Sequence, residues 1–290
     1  MQHRGDQQRP DDEHREAHAL RRGDDVACQW HTLPRSGLVA TLAFCLGLLF
    51  TAGPLDGAQW PDEYRAGQFV CHADFPLAPI HSLIDSMPAL QDDLVRLLGI
   101  GLSSQPIHVF LFEQKSTYQA YVKYHFPSAP TRKALFIKER GLCMVFAYRG
   151  DDFEVDLRHE STHALLNAAL PMVPLWLDEG LAEYFEVAAA ERERSNPHMS
   201  MVKWGARFGQ VPDLDHLEEL RRLNQMDRSE YRHAWAWVHF LLHGPPEARK
   251  ELQSYLADIQ ALAPPGQLSH RLRRRLPNLE SQFGEHFKGW

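Results

Sequence analysis

The segment around His159-Glu160-Ser161-Thr162-His163 constrains this chain more than any other. Val155 and Leu157 precede the pentapeptide, and Ala164, Leu165, Leu166, Ala168, Ala169 and Leu170 follow it. Asp151 and Asp152 stand where the N-terminal turn of a helix favours acids. This composition predicts a helix, and on a helix residues four apart stand one turn above each other on a single face. His159 and His163 therefore present two imidazoles side by side, with Glu160 next to them. The chain contains 17 histidines, so the pentapeptide alone is a weak signal and its helical context gives it weight. Two imidazoles and an adjacent carboxylate form a donor set for one Zn²⁺ and a base that takes a proton from water. His159 and His163 are candidate metal ligands, and Glu160 is the candidate catalytic base.

A catalytic zinc takes three protein ligands and leaves a fourth position open. Pro171 stops the first helix, Pro174 and Trp176 carry the chain through a short turn, and Glu179, Gly180, Ala182 and Glu183 begin a second helix. A return of this length can bring Glu179 over the two imidazoles as the third ligand. Glu183, one turn further on, is placed to accept the outward N–H of a ligand histidine and hold its ring. Gly180 is costly inside a helix, which suggests close approach of another backbone or of the metal.

The stretch 174–186 (PLWLDEGLAEYFE) after His-Glu-x-x-His resembles the gluzincin clan of metallopeptidases, to which thermolysin and aminopeptidase N belong. It is most similar to the bacterial peptidase MA-like proteins. The resemblance is specific over residues 153–186 and looser from Phe69 to Leu242. It implies zinc bound by His159, His163 and Glu179, Glu160 as the base, and peptide or protein as the substrate. The chain departs from thermolysin and aminopeptidase N in a shorter gap between His163 and Glu179, so the connection must be tight.

The expected fold class is α+β: a small mixed sheet packed on helices, a zincin-like pair of active-site helices, and a mainly helical C-terminal part. Gly67 to Ala73, Ile107 to Phe112 and Leu142 to Tyr148 read as strands, and Ile80 to Leu98 and Lys115 to Tyr124 as helices. Trp204 to Val211 and Leu214 to Leu223 read as connecting elements. The resemblance implies that Leu142 to Tyr148 lies at the cleft and pairs with an extended peptide, the alternative being an interior strand with no free edge. In Ser229 to His243, the residues Tyr231, Ala234, Trp235, Val238, Leu241 and Leu242 form one apolar helical stripe. Tyr231 thus points inward, where its hydroxyl is a candidate donor to an oxyanion, with a satisfied core tyrosine as the alternative. His233 and Tyr184 are weaker candidates.

With 44% hydrophobic residues, the 290-residue chain can bury one substantial core, placed at 60–250 with a helical extension over 251–290. A net charge of −7 argues against nucleic acid, and Arg271 to Arg275 reads as the solvated side of a terminal helix. Residues 1–36 form a polar leader too poor in large apolar residues to pack on its own. Gly37 to Gly53 is an uncharged apolar run that fits a secretory signal or a membrane anchor. The protein is therefore expected outside the cytoplasm, secreted, periplasmic or tethered to the membrane. In that setting Cys71 and Cys143 can pair as a disulfide. The rival function is a zinc-stabilised binding domain without catalysis, which the presence of Glu160 argues against.

Overall fold

The computed structural model describes residues 60–101 and 103–290. The run at 37–53 lies outside them, and no helix among the described residues is long and apolar enough to cross a membrane. The described residues begin with strands β1 (Asp62–Ala66) and β2 (Phe69–Ala73), helix α1 (His81–Leu98), β3 (Ile107–Phe112) and α2 (Lys115–His125). The chain continues through β4 (Ala134–Glu139), β5 (Leu142–Tyr148), α3 (Phe153–Ala169) and α4 (Leu175–Phe185). The rest is helical: α5 (Met199–Arg207), α6 (Leu214–Glu219), α7 (Arg228–His243), α8 (Pro246–Gln260), α9 (Leu268–Arg275) and α10 (Leu279–Gly289). The fold is α+β, as the sequence implies.

The five strands form one mixed sheet in the order β1-β2-β3-β5-β4. β2, β3 and β5 run parallel, whereas β1 and β4 close the two edges antiparallel. Alternation along the strands builds two apolar layers. Cys71, Val109 and Val145 face one layer with α1 and α3, and Phe110 and Phe146 face the other with α2 and Trp60. Burial on both faces is what lets IHVFLF and LCMVFAY carry almost no polar residues.

The structure decides two readings that the sequence left open and corrects a third. β5 is interior, hydrogen-bonded to β3 on one side and β4 on the other, so the free edge beside the active-site helices belongs to β4. β4 escapes a sequence reading because its turn to β5 uses Arg140 and Gly141, both left-handed at φ 51 and 83, without the Asn-Gly signature of such hairpins. The cysteines do not pair. Cys71 on β2 and Cys143 on β5 are separated by β3 and offset by two residues along it, more than about 9–10 Å at ordinary strand spacing, whereas a disulfide needs its Cα atoms within about 7 Å. Third, the 271–275 run is only partly solvated. Arg271 is half-buried against Glu251 and Asp258, Arg273 pairs with Asp215 and Glu280, and Arg275 pairs with Glu251. The C-terminal helices share the main core, to which Leu252, Leu272, Phe283 and Phe287 belong.

Candidate metal centre

Helix α3 carries Glu154 and Asp156 in its first turn and ends at Leu170, whose extended backbone leads into Pro171. Only residues 170–174 separate it from α4, which starts behind Pro174. The tight return depends on Gly180. A Cβ there would stand 2.7 Å from the carbonyl oxygen of Ala234 on α7, so glycine lets the two helices meet backbone to backbone. The approach is to a neighbouring helix, and it sets the depth of Glu179.

The return brings three donors together. The Nε2 atoms of His159 and His163 are 3.2 Å apart, and Oε2 of Glu179 is 3.6 Å from each. A triangle with those sides has its centre about 2.0 Å from each corner, and zinc binds imidazole nitrogen and carboxylate oxygen at about 2.0–2.2 Å. Glu179 is 3% exposed, and its Oε2 is buried without a hydrogen-bond partner. Such an orphaned oxygen is costly unless a cation meets it. The donor chemistry and the spacing both fit zinc.

Charge around the triangle tells the same story. Burial opposes charge on His159, but Glu179 and Glu186 outweigh it and raise the ring to about 10. Burial likewise opposes charge on His163, and Asp178 and Glu179 overcome it, raising that ring well above its ordinary value. Burial pushes Glu179 up, yet the two imidazoles hold it well below the usual carboxylate range. The pocket stabilises positive charge, whether carried by protons or by a dication.

The outward nitrogen of His159 is held by a residue other than the expected one. Nδ1 of His159 bonds Oε2 of Glu186 at 2.8 Å, whereas Glu183 bonds Nε2 of His198 at 3.0 Å. The correction follows from helical phase: at 100° per residue, seven residues past Glu179 falls about 20° short of two turns, whereas four overshoots one turn by about 40°. Arg158 fixes the result, its Nε donating to the Glu186 backbone oxygen at 2.7 Å. Burial, with Glu183 beside it, leaves Glu186 above its ordinary value despite the bond to His159. Asp178 lies 3.1 Å from Nδ1 of His163 but off the ring's N–H axis, so that contact is Coulombic.

Glu160 is 8% exposed and makes no hydrogen bond or ion pair among the described residues, which leaves its carboxylate free to move a proton. Tyr231, half-buried in the first turn of α7, is raised above its ordinary pKa by burial and by the charge of Glu179, with the charge of Arg132 opposing. Tyr184 turns away, its hydroxyl 2.6 Å from Nε2 of His243, and His233 is surrounded by Arg232, Asp227 and His216. Sequence reasoning missed Asp178 and Glu186. The latter was detectable from its phase with Glu179.

Among solved structures the fold is similar to an M1 zinc metallopeptidase from Deinococcus radiodurans, at 17% identity and a TM-score of 0.42, covering 78% of this chain and 50% of that one. A two-domain M1 zinc metallopeptidase, solved as a variant bound to L-arginine, is similar at 17% identity and a TM-score of 0.43, with the same coverage. The chain spans about half the length of these structures. No family model and no curated protein matches.

Proposed function

We propose that this chain is a zinc-dependent hydrolase of peptide bonds. The observation that carries the reading is the triangle of His159, His163 and Glu179 with an unpaired, nearly buried Glu160 on the same helix. A structural zinc site closes its fourth position and has no use for a base, so this combination favours catalysis over a purely stabilising metal. Zinc held there would act as a Lewis acid, lowering the pKa of water toward neutrality and polarising a carbonyl. Glu160 takes the proton from the attacking water and returns it to the departing amine. Glu186 keeps the Nδ1 proton of His159 outward, so that Nε2 presents its lone pair to the triangle. Tyr231 supplies a hydrogen bond to the carbonyl oxygen as negative charge develops on it.

The free edge of β4 gives the substrate a place to lie. β4 runs along α3, with Phe136 6.4 Å from His163 between ring centroids and Lys138 Nζ donating to the Asn167 carbonyl at 2.5 Å. An extended peptide adding to that edge would pass beside the two histidines. The test is zinc content of the purified protein together with cleavage of an unfolded protein substrate with and without a chelator. One zinc per chain and chelator-sensitive cleavage are expected; absence of bound zinc refutes the proposal. We also propose export directed by residues 37–53, checked by cell fractionation, which fails if the protein stays with the cytoplasm.

A further inference from the structure

Eight large apolar side chains are exposed among the described residues, and three of them fall within eight residues at α5. Met201 and Trp204 are each 55% exposed, and Phe208, which caps the helix, is 67% exposed. The rings of Trp204 and Phe208 touch, 4.8 Å apart between centroids. At 100° per residue Met201 and Trp204 stand about 60° apart, and Phe208 continues that phase between them. Met199, Val202 and Ala206 turn the opposite way and belong to the core. Scattered apolar residues on a surface need no explanation, but a contiguous stripe marks a face that meets something apolar.

Charge identifies the partner. The segment 194–212 (RSNPHMSMVKWGARFGQVP) holds Arg194, Lys203 and Arg207 and no acid, in a chain with 38 acids against 31 lysines and arginines. Lys203 and Arg207 stand about 40° apart along one flank of the apolar stripe. Arg194, Lys203, Met199 and Trp290 line a cleft of about 250 Å³ without an acidic side chain, and the Arg194 guanidinium lies 5.5 Å from the Trp290 ring. A net charge of −7 repels the chain as a whole from an anionic surface, so contact there needs a local face of the opposite sign. Aromatic rings flanked by lysine and arginine suit the boundary between headgroups and acyl chains, where one part of the face is apolar and the other meets phosphate. The helix is held firmly for such a contact. Asn196 Nδ2 donates to the Glu183 carbonyl at 3.0 Å, and Nε2 of His198 lies 3.0 Å from Oε2 of Glu183, which fastens the start of α5 to the helix that carries Glu179.

We infer that the exposed face of α5 docks on an anionic lipid bilayer, with Met201, Trp204 and Phe208 at headgroup depth and Arg194, Lys203 and Arg207 against the phosphates. Neither the metal centre nor the apolar run at 37–53 contributes a residue to this contact. Trp204 is its own reporter, because it is the one exposed tryptophan among the described residues. The full chain is titrated with vesicles of phosphatidylcholine, alone or with about a third phosphatidylglycerol, carrying brominated acyl chains that quench tryptophan. The quenching that Trp204→Phe removes belongs to Trp204, and it is expected on the mixed vesicles. Lys203→Gln with Arg207→Gln should raise the lipid needed for half of that quenching about 25-fold, about fivefold for each cation. Met201→Ser with Phe208→Ser should raise it at least about tenfold. Arg207→Gln alone, at an exposed position, should cost about fivefold and stands in if a double variant misfolds. Absence of Trp204 quenching, equal quenching without phosphatidylglycerol, or no change in either double variant overturns the inference. Self-association of the wild type without lipid, abolished by the same substitutions, overturns it in favour of a second copy on this face.

Discussion

Replacing Gly180 by alanine sets two effects of opposite sign against each other. Inside a helix alanine is favoured over glycine by about 1 kcal/mol. Against this, the added Cβ would stand 2.7 Å and 2.8 Å from the carbonyl oxygen and carbon of Ala234, and 3.0 Å from Cγ2 of Val238. Ordinary contact needs about 3.5 Å. Two of the three obstructing atoms are backbone, so no rotamer change relieves them and α4 and α7 must part by roughly half an ångström or more. Overpacking of this kind costs about 1–3 kcal/mol, and a backbone obstruction belongs at the upper end. The net loss is about 2 kcal/mol, which for a domain of this size lowers the melting temperature by about 4–8 °C. The same displacement carries Glu179 away from the two imidazoles, and site geometry tolerates only about 0.5 Å. Zinc affinity should therefore fall at least about tenfold. Calorimetric melting with and without zinc, combined with zinc titration, measures both effects. A Gly180→Ala protein that melts at or above wild type and binds zinc equally well refutes the reasoning, because helix propensity would then have won.

Glu160→Gln should keep its zinc and lose hydrolysis by about 10²–10⁴-fold, measured as metal content against cleavage rate; undiminished cleavage removes Glu160 from the reaction. Glu186→Gln should weaken zinc binding about 10–100-fold while Glu183→Gln leaves it within about threefold, and the reverse ranking would return the supporting role to Glu183. Stability should fall in mild acid. Burial lowers His239, His243 and His286 from 6.5 to about 4, within a network where His239 bonds His286 at 3.0 Å and the Glu193 carbonyl at 3.0 Å. Unfolding lets these rings charge, so their contribution is fully present above pH 6.5 and is lost as the pH falls toward 4. Each ring is worth up to about 3 kcal/mol, and three sharing one network give less than the sum. Denaturant unfolding at pH 7 and pH 5 should differ by several kcal/mol, and His239→Gln should shrink the difference.

Local signals carried much of this molecule. The apolar runs of β3 and β5, the stripe of α7 and the spacing of His159 and His163 are properties of short segments, because period and composition act within a turn or a strand. The helical return to Glu179 was readable for the same reason, through Pro171, Pro174 and Gly180. The structure then decided whatever depends on which segments meet. Strand order made β5 interior, gave its edge to β4 and kept Cys71 from Cys143. Helix phase and the grip of Arg158 gave His159 to Glu186. A ligand pair within one helix is fixed by the geometry of the backbone, but a partner from elsewhere is fixed only when separate surfaces pack, and no periodicity in the chain encodes that meeting.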